Sequence, residues 1–95
     1  NTKMNYTKGP WEIEGSNVLA NDRTVAIVFD PDSCHCTEVS KANTRLIAAA
    51  PVMYKAGKDA LVSLKLWANQ HPDDEVLAMV ITELEYALAQ AEGKY

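Results

Sequence analysis

The 95-residue chain has no long hydrophobic run, and no stretch approaches the roughly 20 apolar residues that a bilayer-spanning helix needs. Its first five residues contain no apolar signal-peptide core. Cysteine is scarce, and two thiols fit a reducing compartment better than a disulfide scaffold. We therefore expect a cytoplasmic protein with no membrane partner.

Signatures of catalysis are also missing. The four glycines are scattered and form neither common type of phosphate-binding loop. Nucleophilic catalysis would need a Cys or Ser with an orienting base, and no local sequence supports pairing Cys34 or Cys36 with His71. We therefore predict that the protein is not an enzyme and uses no cofactor.

Cys34-His35-Cys36 is the strongest metal candidate, because thiolates and imidazoles bind zinc and His71 could complete a set of four ligands. However, paired cysteines in structural zinc sites are usually two to four residues apart, and these are closer. We favour ordinary thiols in a loop or a fourth short strand, and no metal site.

Two acidic pairs have a structural explanation as well as a chemical one. They could bind a cation or perform acid–base chemistry. Turn formation explains the first pair better and helix capping the second. The pairs are Asp30 with Asp32 and Asp73 with Asp74.

The formal net charge of −4 argues against broad affinity for nucleic acid, which needs clustered cations against phosphates. We expect no nucleic-acid partner. The net charge is nevertheless compatible with a local basic patch, because four cationic residues lie near one another in sequence: Lys41, Arg45, Lys55 and Lys58.

The first third of the chain predicts an antiparallel three-stranded meander. Trp11–Glu14 alternates apolar and polar residues, Val18–Ala20 is a second short apolar run, and Thr24–Phe29 is rich in β-branched residues. Turn residues separate them at 15–17 and 21–23.

Helical patterns follow from Ser40, which we expect to cap a short helix ending near Ala50. Pro51 then begins a longer helix, and a last helix follows the acidic residues 73–75. The predicted apolar stripes of the three helices are Leu46, Ile47 and Ala50; Met53, Ala56, Ala60, Leu64 and Trp67; and Leu77, Val80, Ile81, Leu84, Leu88 and Ala91. The fold class is thus α+β: a small antiparallel β-meander, a short helix and two longer C-terminal helices.

Residues 4–95 are predicted to form one domain, with 1–3 an expression remnant or a disordered end. Both long helices have apolar residues beyond one stripe, such as Val62, Leu66, Val76 and Met79. Helices of this kind often bury the excess against another subunit, so we expect a homo-oligomer.

Asn43 and Arg45 are the candidate binding residues in the short helix. A guanidinium matches phosphate geometry, and a helix N-terminus would reinforce anion binding. The alternative is a solvated or salt-bridged arginine with Asn43 as a secondary cap. Trp11 and Trp67 are expected to belong mainly to the core.

Two segments, Tyr6-Thr-Lys-Gly-Pro-Trp11 and Asn43-Thr-Arg-Leu-Ile-Ala-Ala-Ala-Pro51, resemble a group of small phage, prophage and mobile-element proteins of mostly unassigned function. That group has a Gly-Pro-Trp opening and an Ala-Asn-Ala-Arg-Leu-Ile-Ala-Ala-Ala-Pro helix, and here Thr44 stands where Ala is usual. The layout is also similar to phage anti-Thoeris proteins, which sequester cyclic ADP-ribose isomers without catalysing a reaction on them. This second resemblance implies a small anionic nucleotide ligand, with Asn43 and Arg45 on phosphate or ribose and Trp11 against a base.

The resemblances imply an accessory, anti-defence protein of a phage or mobile element. The alternative is an oligomeric module that docks a host or phage protein through its helical face. Large exposed apolar patches commonly mark such surfaces.

Overall fold

The computed structural model describes residues 5–29 and 38–94. Three strands come first: β1 (Glu12–Glu14), β2 (Asn17–Ala20) and β3 (Arg23–Ile27). Three helices follow: α1 (Glu38–Ala48), α2 (Ala50–Gln70) and α3 (Glu75–Ala91). The predicted α+β class is therefore confirmed, with a short helix before two longer ones.

The sheet is the predicted meander, with antiparallel neighbours in the order β1-β2-β3. Its hairpin turns depend on left-handed backbone: Asn21 and Asp22 have φ of 53° and 65°, and Gly15 has φ of 64°. Two consecutive positive φ values are typical of a type I′ turn, whose twist matches that of the flanking strands. Local turn residues therefore set the strand pairing.

The chain divides into two compact units, Asn1–Val52 and Met53–Tyr95. The prediction of a single domain stays a prediction. Each unit is described by itself below.

In the first unit, α1 contacts β1 and β2. Among the described residues of this unit, the buried ones are Val18 and Ala20 of β2 and Ser40 and Thr44 of α1. Ser40 and Thr44 lie one helical turn apart, so they share one face of α1. Small side chains at these four positions allow the helix to approach the sheet closely.

Two predictions for α1 are wrong. Ser40 is not the cap, because the helix already includes Glu38. The expected apolar stripe is not the fully buried face either, since Ile47 is only half-buried, Leu46 is 62% exposed and Ala50 is exposed. The buried face is instead formed by Ser40 and Thr44, and the Thr44 hydroxyl donates to the Ser40 carbonyl at 2.8 Å. That bond satisfies the buried hydroxyl.

Pro51 is the second residue of α2, a position in the first helical turn where a missing N–H costs little. The break between α1 and α2 falls at Ala49, whose N–H still donates to the Arg45 carbonyl. Pro51 therefore helps to begin α2 and does not kink it.

In the second unit, α2 and α3 form a helical hairpin. We call its line of half-buried residues the contact seam, which consists of Tyr54, Gly57, Leu61, Leu64 and Ala68 of α2 and Leu77, Ile81, Leu84 and Leu88 of α3. Spacings of three and four residues occur along both helices, as in coiled coils. The last helix follows its predicted stripe except at Val80 and Ala91, which are exposed.

The predicted stripe of α2 is correct at Leu64 and wrong by one position at its other four residues. Met53, Ala56, Ala60 and Trp67 are exposed, and the seam mostly uses the residue that follows each of them. One step along a helix turns the face by about 100°. Trp67 is therefore no core residue; it is 58% exposed and its ring stacks on His71.

Both ends of α3 are capped, and the N-terminal cap comes from the acidic pair that was predicted to supply it. The Asp74 carboxylate accepts from the Leu77 N–H at 3.0 Å. At the other end Gly93 has φ of 77°, and the Lys94 N–H donates to the Ala89 carbonyl. Together with the bond from the Gly93 N–H to the Gln90 carbonyl, this is a Schellman motif.

Candidate functional site

Arg45 and Asn43, the candidate ligand residues of α1, are both exposed. They lie on either side of the buried Thr44. Positions two residues apart in a helix differ by about 200° in direction, so the side chains of Asn43 and Arg45 point to opposite flanks of α1. The helix therefore does not bring them together around one small ligand.

Arg45 lies in the last turn of α1, so the expected help from a helix N-terminus is wrong. The C-terminal end of a helix dipole carries partial negative charge and stabilises a cation there. Arg45 is exposed, and within the described part of the chain no carboxylate forms a salt bridge with its guanidinium.

Trp11, the third candidate, is half-buried and belongs to a segment that folds on itself. Its indole N–H donates to the Thr7 carbonyl at 2.9 Å. Lys8 places its ammonium 4.0 Å from the centre of the Tyr6 ring, a cation–π contact. The opening motif therefore already uses the polar edge of Trp11.

The two sequence motifs meet at Gly9. A Cβ at Gly9 would lie 3.4 Å from Trp11 Cδ1 and 3.9 Å from Pro51 Cβ. It would also lie 2.9 Å from the Trp11 backbone nitrogen, closer than van der Waals contact allows. Glycine is therefore the residue that fits at position 9, next to Trp11 and to Pro51 in the first turn of α2.

A polar cluster that we did not predict from the sequence surrounds Glu92 in the second unit. The Tyr54 hydroxyl donates to the carboxylate, whose side chain is only 11% exposed. Lys94 and Lys58 approach it at 3.1 and 3.7 Å. The bond from Tyr54, followed by that from Lys94, lowers the pKa of Glu92 below its usual value.

The Glu92 cluster is structural in character. The carboxylate accepts from Tyr54 and pairs with Lys58, so it ties the end of α3 to the beginning of α2. The sequence alone does not reveal this cluster, because Tyr54 and Glu92 are 38 residues apart. They come together only through the pairing of α2 with α3.

Exposed apolar side chains are the most extensive feature of the hairpin. Among the described residues of α2 and α3, none is fully buried. The large hydrophobic residues of these helices that are 45–69% exposed are Val52, Met53, Val62, Leu66, Trp67, Val76, Met79, Val80 and Tyr86. Helices that are apolar around most of their surface usually bury it against a partner.

An open depression lies on α3 next to Met79, with a volume of about 320 Å³. It is lined by Ala78, Met79, Thr82 and Glu83, all from this one helix. Small-molecule sites are usually concave and enclose most of the ligand. A shallow surface on a single helix is better suited to contact with another protein.

Several sequence candidates fall outside the described residues: Asp30, Asp32, Cys34, His35 and Cys36. His71 is described, and it stacks on Trp67 at 4.9 Å between ring centroids. Within residues 5–29 and 38–94 no group of His, Cys, Asp or Glu has the arrangement of a metal site. In the same part of the chain, no helix is both long and apolar enough to cross a bilayer.

Comparison with protein families gives a match over the whole chain. The family model described as Salmonella phage P22 protein Y8K6 matches residues 1–95. Neither the curated proteins nor the solved structures contain a significant match.

Proposed function

Since this chain belongs to the family described as Salmonella phage P22 protein Y8K6, we propose that it is a non-enzymatic phage accessory protein that docks a second protein. The partner is a host or phage protein, and the encounter takes place in the host cytoplasm. The observation that carries the proposal is the outer surface of α3, where Met79 is 61% and Tyr86 50% exposed.

Met79 and Tyr86 lie two residues from seam positions, so both point away from α2. With the neighbouring depression they form an apolar surface that the hairpin itself does not cover. Methionine and tyrosine are common in protein interfaces because the first adapts its shape and the second combines a large apolar area with a hydroxyl.

The test is affinity capture from phage-infected host cells, quantified by mass spectrometry, with wild type and Met79→Glu. The carboxylate introduced by Met79→Glu should abolish the capture of one specific partner, because burying an unpaired carboxylate in an apolar contact is costly. Val39→Glu is a matched control on α1, since Val39 is also 61% exposed. Equal recovery of every protein with Met79→Glu and wild type would contradict the proposal.

The second candidate function is sequestration of a small cyclic nucleotide or a cyclic ADP-ribose-type immune signal. Its support is the accessible guanidinium of Arg45, with Asn43 and Trp11 as the further candidate contacts. Because Asn43 points to the opposite flank of α1, a ligand would reach Arg45 without it.

Native mass spectrometry with a panel of cyclic nucleotides and ADP-ribose isomers separates the two functions. If the protein sequesters such a ligand, wild type should gain the mass of the ligand in a fixed stoichiometry. Arg45→Ala should abolish this binding without a change in melting temperature, and Met79→Glu should still bind the ligand. If no member of the panel binds, sequestration of these ligands is excluded and docking remains.

A further inference from the structure

Charge is distributed unevenly over the hairpin. Residues 66–92 contain six carboxylates and neither lysine nor arginine. In α3, Glu85 pairs with Lys65 at 2.8 Å. Within the described part of the chain, no lysine or arginine forms a salt bridge with the two other carboxylates of this helix, Glu75 and Glu83. The helix therefore carries negative charge that the hairpin itself does not neutralise.

Glu75 and Glu83 lie on the outer surface of α3, where both are exposed. Each is four residues from Met79, so each lies one turn away from it and about 40° to one of its flanks. Tyr86 follows Glu83 by three residues, about one turn farther along. The outer surface thus alternates carboxylates with large apolar side chains, and the two carboxylates are about 12 Å apart along the helix axis.

Glu83 also lines the open depression beside Met79. A protein that covers Met79 must therefore cover or approach Glu83 as well. A carboxylate that loses its hydration without gaining a partner is costly, so the covering protein has to supply a cation at this point.

We propose that the outer surface of α3 binds a basic amphipathic helix of the second protein. Apolar residues of that helix cover Met79 and Tyr86, while two of its lysines or arginines pair with Glu75 and Glu83. This inference rests on the proposed docking function and names the chemistry of the partner.

Charge separates this occupant from the others. A second copy of the chain docked on the same surface would place these carboxylates against each other, because an isologous interface uses the same patch on both subunits. An anionic membrane or a nucleic acid would bring further negative charge to the surface. A partner with cations beside an apolar stripe satisfies both features at once.

The secondary structure of the partner follows from the shape of the surface. The backbone hydrogen bonds of α3 are made within the helix, so an extended peptide cannot add to it as a strand. A second helix can pack its ridges into the grooves between the side chains of α3. Two cations seven or eight residues apart on such a helix are separated by about 10.5–12 Å, which matches the two carboxylates.

The probe is a display library of helical peptides about as long as α3, with the positions of one face randomised. The library is selected on the immobilised full chain and counter-selected on Met79→Glu. Retained peptides should carry lysine or arginine seven or eight residues apart, with apolar residues between them and few acidic ones.

A retained peptide is then synthesised with a fluorescent label, and its affinity is measured by fluorescence anisotropy. Glu83→Gln and Glu75→Gln should each weaken binding by roughly 5-fold, since each removes one ion pair. Glu14→Gln is the matched control: it removes the same charge at an exposed glutamate of β1 and should leave the affinity unchanged. Far-UV circular dichroism checks that each variant is folded.

Charge reversal tests the pairing directly. Glu83→Lys should bind the retained peptide poorly, and a peptide with glutamate in place of the facing cation should restore the affinity. Failure of every such replacement to restore it would contradict the pairing at Glu83.

Three results would overturn the proposal and leave docking at Met79 in place. The library yields no peptide whose binding depends on Met79, the retained peptides show no excess of basic over acidic residues, or Glu83→Gln and Glu75→Gln bind like Glu14→Gln. Capture from infected cells that does not depend on Met79 would instead overturn the proposed function and, with it, this inference.

Discussion

Replacing Gly57 by valine tests how closely α2 and α3 pack in the hairpin. Gly57 is the smallest residue of the seam, and a Cβ at this position would lie 3.2 Å from Leu88 Cδ2 and 3.6 Å from Leu84 Cδ1. Favourable contact between carbon atoms lies at about 3.5–4.0 Å. The Cβ alone is therefore tight against Leu88, and the two methyl groups of valine reach farther into the same space.

The expected magnitude combines two opposing effects. Forcing extra methyl groups into a packed contact costs about 1–3 kcal/mol. Replacing glycine in a helix regains about 0.4 kcal/mol for valine and about 1 kcal/mol for alanine. Gly57→Val should therefore destabilise the hairpin by about 0.6–2.6 kcal/mol. Gly57→Ala should stay within about 1 kcal/mol of wild type, because the flexible end of Leu88 can move slightly.

The assay is thermal and urea unfolding followed by far-UV circular dichroism. A loss of about 1 kcal/mol lowers the melting temperature of a domain this size by about 4–8 °C. Ala78→Val on the exposed surface of α3 is the control, since it changes helix propensity by only about 0.6 kcal/mol. The double variant Gly57→Val/Leu88→Ala should be more stable than the sum of its single changes predicts.

The result that would refute this reasoning is a Gly57→Val protein as stable as wild type. It would mean that Gly57 does not lie against Leu84 and Leu88, and that the seam has another register. Additive effects in the double variant would point to the same conclusion.

Two further predictions concern the ends of α3. Because the pKa of Glu92 is lowered in the folded state, its contribution to stability is present above the unfolded-state value of 4.5 and is lost as the pH falls through the lower folded-state value. Glu92→Gln should remove this part of the acid sensitivity in melting curves recorded against pH, and Tyr54→Phe should reduce it, whereas unchanged pH dependence in both would contradict the cluster. Asp74→Ala should cost about 1 kcal/mol through loss of the cap to the Leu77 N–H, with Asp74→Asn close to wild type by the same unfolding assay; equal losses in both would show that the cap is not the cause.

The candidate ligand residues show the limit of motif reasoning. Asn43 and Arg45 are neighbours in the sequence motif, but helical geometry sends them to opposite flanks of α1. The position of Arg45 within its helix also depends on where α1 begins, and the helix begins before the residue that we expected to cap it. The two motifs do meet in space, yet at Gly9 and Pro51 and not at the polar residues.

The sequence by itself determined the local structure. Asn21 and Asp22 specify a turn because they tolerate positive φ, and Asp74 and Gly93 specify the ends of α3 because their effects act within a few residues. The order of strands and helices follows from such signals and from apolar periodicity, so the α+β class was predictable.

Only the tertiary structure decided which faces are buried. In α2 apolar residues lie on most sides, so periodicity cannot select one face, and the seam passes through Gly57 because its missing side chain permits close approach to Leu88. In α1 the sheet selects Ser40 and Thr44 over the more hydrophobic Leu46, since small side chains let the helix approach β2. Burial depends on the shape of the opposing surface. That surface forms only when helices and strands pack together, so local sequence patterns do not determine it.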